Sequence, residues 1–231
     1  MGSSLAFVPR AIDAVRRNPS AGLLAVQLLG FLLYPLMETS PSSRALFGVF
    51  GLVVLGGALW VVRRSPWLTW LGMLLALPIV VLSLIASVTP HPELLGCTAA
   101  LESVFYFYAA GSLIAYMLQD WVATTDEFFA AGATFTLLAW AFAYAFAACE
   151  AVFPGSFAAM GSAGAGRTWM ELLYLSVAVL SSVGLSDVVP VTPMARGIVM
   201  LESFAGIMFI ALVVSRLISM ASPLRQTAPK D

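Results

Sequence analysis

The residues best placed to do chemistry are Ser181, Ser182, Val183, Gly184, Leu185 and Ser186, a run of small and hydroxyl-bearing residues closed by the acid Asp187. Gly184 and Ser186 interrupt any helix there, so the segment offers backbone carbonyls, hydroxyls and a carboxylate, not a nucleophile with its base. Oxygens in such an arrangement can replace the water shell of a cation, which is coordination without bond making. The plainer reading is a serine and glycine turn between two helices. Enzyme chemistry has less behind it. His91, the single histidine, lies between Pro90 and Pro92, and no serine stands in a recognisable nucleophile setting. With no second histidine and no C-x-x-C, a transition-metal site is not expected.

Those residues must be held by elements that live in a membrane. The chain has 231 residues, 61% hydrophobic and 10% charged, which excludes an ordinary soluble domain. A net charge of -1 supplies no basic field, so no nucleic-acid partner is expected. Met1 to Ser20 carries Arg10, Arg16 and Arg17 but no apolar run before a small-residue cleavage site. The first apolar segment therefore reads as a retained span, not a signal peptide.

A span takes about 20 mostly apolar residues. Candidates are Ala21 to Met37, Arg44 to Val62, Trp67 to Val88, Leu94 to Leu118, Phe128 to Phe153 and Ala195 to Met220. Thr168 to Leu180 is apolar but too short to cross, and reads as a re-entrant helix. Arg10, Arg16, Arg17, Arg63, Arg64, Arg225 and Lys230 fall on one side, and only Arg44 and Arg167 on the other. By the positive-inside rule both termini are cytoplasmic and Ser181 to Asp187 faces outward.

Thr168-Trp-Met-Glu171 fits a capping box, in which the threonine accepts from an orphan N–H and the glutamate reaches back. It marks a helix start that apolar periodicity alone does not. Gly155 to Gly166 (GSFAAMGSAGAG) lacks the lysine of a phosphate cradle and reads as a flexible outer loop. Irregular backbone at membrane depth must be buried in protein or line a cavity. One copy of a carbonyl-lined loop supplies a quarter of an axial site, so the architecture calls for a fourfold homo-oligomer. Cys97 and Cys149 sit at the same end of their predicted helices; a disulfide is open, although lone cysteines in apolar segments are usually core residues.

Tyr174 to Met220 resembles the pore module of the potassium channel family, whose filter pattern is Thr-Thr-Val-Gly-Tyr-Gly-Asp. Ser181, Ser182, Val183, Gly184 and Asp187 occupy corresponding places, and MLESFAGIMFIALVVSRL is similar to the family's inner helix. Leu185 replaces a tyrosine whose hydroxyl, in the family, braces the filter against aromatic residues of the pore helix; Tyr174 remains at one of those positions. Ser182 for threonine is a mild change that keeps the hydroxyl. Ser186 replaces a glycine with positive φ, where another residue costs about 1 to 2 kcal/mol. The outer filter is therefore expected to relax and to discriminate less between potassium and sodium.

The resemblance implies filter support from Glu171, Tyr174 and Glu202, with Glu202 hydrogen-bonded near the pore helix. It implies a hinge at Gly206 and a gate near Leu212 to Arg216, with Arg216 snorkelling to the interface. An Asp187 ring at the outer mouth would concentrate cations. Glu102 looks to Tyr106 or Tyr108 for a partner, and Glu150 reaches the interface. Leu94 to Leu118 contains no arginine, so voltage sensing of the usual kind is not expected.

The expected fold is all-α, integral to the membrane: six transmembrane helices with a re-entrant pore helix and filter loop between helices 5 and 6, assembled fourfold. Residues 1-20 are a cytoplasmic N-terminus, 21-120 a four-span domain, 121-220 the pore domain and 221-231 a cytoplasmic tail. The expected function is a homotetrameric cation channel, in a bacterial inner membrane, with potassium or other monovalent cations as permeant ions and no cofactor. The alternative is a non-conducting scaffold that keeps the channel form. Partners are the lipid bilayer and other copies of the chain; no regulatory partner can be read from the residues.

Overall fold

The computed structural model describes residues 18–37, 54, 56–58, 69–88, 92–119, 124–159 and 166–221. In chain order these form α1 (Pro19–Met37), α2 (Thr69–Val88), α3 (Pro92–Met117), α4 (Thr125–Val152), β1 (Phe157–Ala159), α5 (Trp169–Leu180), β2 (Val188–Pro190) and α6 (Pro193–Ala221). Residues 54 and 56–58 are also helical. The rest of the expected second span, His91, and all the basic residues used for orientation except Arg167 lie outside the described residues.

Among the described residues, Leu94–Met117, Thr125–Val152 and Pro193–Arg216 are long and apolar enough to cross a membrane. Helices α1 and α2, of 19 and 20 residues, lie where the first and third spans are expected. In α2, Pro78 sits mid-helix, which membrane helices tolerate better than soluble ones.

Helix α4 is the hub against which α1, α3, α5 and α6 pack. Lipid tails are as apolar as leucine, so close fit and interhelical hydrogen bonds replace the hydrophobic drive of a soluble core. The sequence of α4 suits that need. Ala130, Ala133, Ala139, Ala141 and Ala143 are buried and let neighbours approach. Thr136 Oγ1 donates to Gln27 Oε1 of α1 at 2.7 Å, and Ser103 Oγ of α3 donates to the Ala141 carbonyl at 2.9 Å.

Aromatic rings join three helices across the same core. Tyr106 of α3 stacks on Tyr144 of α4 with centroids 5.6 Å apart, and Trp140 meets Tyr106 edge-on at 5.6 Å. Trp169, the first residue of α5, closes on Trp140 at 5.2 Å. Such pairs contribute about 0.5 to 1.5 kcal/mol each beyond their buried area, so the start of α5 is fixed by packing as well as by its cap.

Among the described residues the fold departs from all-α in one place. Phe157 pairs with Pro190, Ala158 with Val189 and Ala159 with Val188, giving an antiparallel two-stranded ribbon. The first part of the GSFAAMGSAGAG segment, expected to be a flexible loop, is thus a strand; residues 160–165 of it lie outside the described residues. Its order comes from tertiary hydrogen bonds, which composition does not reveal.

Candidate functional site

The N-terminus of α5 carries both halves of the capping box. Thr168 Oγ1 accepts from Glu171 N at 3.3 Å, and Thr168 N donates to Glu171 Oε2 at 2.7 Å. Arg167 Nη1 lies 3.7 Å from Glu171 Oε1. Glu171 is therefore committed to starting the helix, with the negative charge at its favourable end.

The other end of α5 closes in a Schellman motif. Ser182 N donates to the Val179 carbonyl at 2.9 Å and Val183 N to the Ala178 carbonyl at 3.1 Å, with Ser182 at φ 61°. That is the bond pattern and left-handed residue which normally select glycine after a helix. The position carries backbone strain that the sequence did not show, because a Cβ at positive φ crowds the following carbonyl; serine bears it better than the threonine of the family pattern would. Gly184, at φ 68°, also donates its N–H to Ala178 O, at 2.9 Å.

Ser186 is not among the residues with positive φ. Its hydroxyl instead accepts from Val188 N at 3.1 Å and turns the chain into β2. The side chains of Val183 and Leu185 are 69% and 70% exposed in the single chain. Leu185, Ser186 and Asp187 share an open groove with Glu171 and Tyr174, so the loop and the N-terminal half of α5 face one space.

Behind α5 the last helix makes two contacts. Glu202 is fully buried and its carboxyl hydrogen-bonds to Ser176 Oγ, which also lies 2.8 Å from the Ala139 carbonyl of α4. Ser176, not singled out in the sequence, thus binds α5 to both flanking helices. Gly206 lies against the last turn of α5: a Cβ built there would stand 2.2 Å from Leu180 O. The residue expected as a hinge is a point of backbone contact within the continuous helix α6.

Leu212 lines an apolar recess between α3, α4 and α6. Arg216, expected to snorkel, turns back to Glu127 of α4, with Nη2 2.8 Å from Oε2. Each charge, largely withdrawn from solvent, is matched by the other, and removing one partner would leave the other uncompensated. Glu150, near the end of its span, uses its two oxygens to accept from Gly155 N and Phe157 N. Cys97 and Cys149 are free thiols, with Cys149 Sγ 3.7 Å from Ser156 Oγ.

A family model described as an ion channel matches residues 103–222, over half of the chain. The chain belongs to the ion channel family. The matched residues of this ion channel include α4, α5, the loop Ser181 to Asp187 and α6, and correspond to a pore module of the potassium channel superfamily. No curated protein and no solved structure matches the channel. Family and apolar helices together make the protein an integral membrane ion channel.

Proposed function

We propose that the protein is a homotetrameric cation channel in which carbonyls of Ser182 to Leu185 strip water from a monovalent cation, with weaker discrimination between potassium and sodium than a complete filter gives. The observation that carries this reading is a capped, non-spanning helix that ends in irregular backbone between two spanning helices. Such backbone is stable at membrane depth only when it is enclosed or lines a cavity, and four copies around an axis provide both.

The exposure of Val183 and Leu185 in one chain supports the assembly, since large apolar side chains beside polar carbonyls need covering by a neighbour. Asp187 at the outer mouth raises the local cation concentration and disfavours anions. Glu202, through Ser176, holds α5 from behind, and Gly206 sets how closely α6 approaches it. The segment Leu212 to Arg216 forms the cytoplasmic gate. Residues 21-120 make a four-span domain around the pore, with both termini on the cytoplasmic face of a bacterial inner membrane.

Native mass spectrometry of the purified protein, followed by flux into liposomes, tests the proposal. It expects four chains per particle and passage of potassium and sodium but not chloride. Particles of one or two chains, or chloride flux matching that of cations, would overturn it.

A further inference from the structure

The outer end of the loop Ser181 to Asp187 runs into β2, and β2 is held by more than its own pairing. Glu150, in the last turn of α4, accepts from Gly155 N at 2.9 Å through Oε1 and from Phe157 N at 3.1 Å through Oε2. Those two bonds fold the turn that delivers β1. Ser156 is fully buried in the turn; its carbonyl accepts from Val191 N at 2.8 Å, and its hydroxyl lies 3.0 Å from Thr192 Oγ1. Thr192 in turn caps α6, accepting from Ala195 N and Arg196 N.

We propose that Glu150 is a positioning residue for the filter: through β1 and the Ser156–Thr192 contact it fixes β2, and through Val188 N and Ser186 Oγ it fixes the outermost carbonyls of the loop. This rests on the reading of Ser182 to Leu185 as the ion path. Apart from the Ser186 hydroxyl, no loop side chain is seen to brace this end. Leu185 is 70% exposed and has no hydrogen-bonding group, so the support for the outer loop comes from backbone pairing anchored on α4.

The chemistry requires glutamate. Two N–H donors approach two different oxygens of one carboxylate, and bonds to a charged acceptor are about twice as strong as neutral ones. Glutamine keeps the shape but offers one acceptor and sets its own NH2 against the second donor. Aspartate is a methylene shorter. The turn would therefore open in either variant while the rest of α4 stays packed.

The test uses the full chain in liposomes, with potassium and sodium flux measured for the wild type, Glu150→Gln, and Glu150→Gln with Leu185→Tyr. Backbone hydrogen exchange is followed in parallel at β1 and at Val188 and Val189. Glu150→Gln is expected to remove the potassium preference, bringing the potassium-to-sodium ratio to about one. Exchange at Val188 and Val189 should accelerate by about tenfold, as expected of a local opening.

Leu185→Tyr places an aromatic ring and a hydroxyl in the groove shared with Tyr174 and gives the loop a second support, so it should restore part of the ratio. A mere loss of folded protein would lower both fluxes equally and leave the ratio unchanged. An unchanged ratio, or unchanged exchange at Val188 and Val189, overturns the proposal. If the wild type passes no ion, the conduction reading fails by itself, and the exchange data alone decide whether Glu150 holds β2.

Discussion

Arg216 and Glu127 join the two long helices of the pore module at one end, Nη2 to Oε2 at 2.8 Å, with side chains only 16% and 9% exposed. The neighbouring Asp126 accepts from Ser20 N and Oγ of α1 and from Tyr116 of α3. Two consecutive acids at the start of α4 therefore bind three other helices, and the end of α6 is tied to the spans that precede the pore.

Removing one member of that pair strands the other charge. Arg216→Met or Glu127→Leu alone should destabilise the detergent-solubilised protein by about 3 kcal/mol, while the double apolar variant should recover most of the loss. Thermal unfolding of all three checks this. Equal and additive losses would mean that the contact carries no coupling.

Gly206→Ala drives a methyl group into the Leu180 carbonyl, where a Cβ has 2.2 Å. Backbone cannot yield there without moving the base of the loop. Cation flux should fall by about tenfold, equivalent to some 1.4 kcal/mol. Gly197→Ala in the same helix meets nothing within 4 Å in the chain and serves as the control.

Ser182 occupies a left-handed position at the end of α5. Ser182→Gly should stabilise the protein by about 1 kcal/mol by removing the Cβ clash. Ser182→Thr should destabilise it, since a β-branched residue at positive φ is a true outlier. Melting temperatures of the two variants should move in opposite directions.

Ser176→Ala removes the hydroxyl that contacts both Glu202 and the Ala139 carbonyl. A buried acid left without that partner costs about 1 to 3 kcal/mol. Flux and stability should both fall. In Ser176→Thr the hydroxyl is kept and most of each should return.

What could be read from the residues follows their range of interaction. The start of α5 was legible because T-x-x-E is a local pattern whose partners lie three residues apart. The same pattern, Thr124 to Glu127, opens α4, with Thr124 accepting from Glu127 N; apolar content alone placed that start at Phe128, after the acids that do the joining. Glu202 could be placed against the re-entrant helix by the resemblance. The ribbon could not, because Phe-Ala-Ala and Val-Val-Pro show no alternation and owe their pairing to a turn held by Glu150. The strain at Ser182 was hidden too, since serine reads as a tolerant residue until the helix end is seen to close over it.

The most direct test of the central claim is potassium and sodium flux under matched gradients into liposomes holding the tetramer, for the wild type and for Leu185→Tyr with Ser186→Gly. Both ions should cross the wild type with potassium somewhat faster, and the double variant should raise the ratio by about tenfold, some 1.4 kcal/mol of added discrimination. Absence of cation flux through both proteins, with assembled tetramers verified in the same liposomes, would contradict that claim and leave a channel-shaped scaffold.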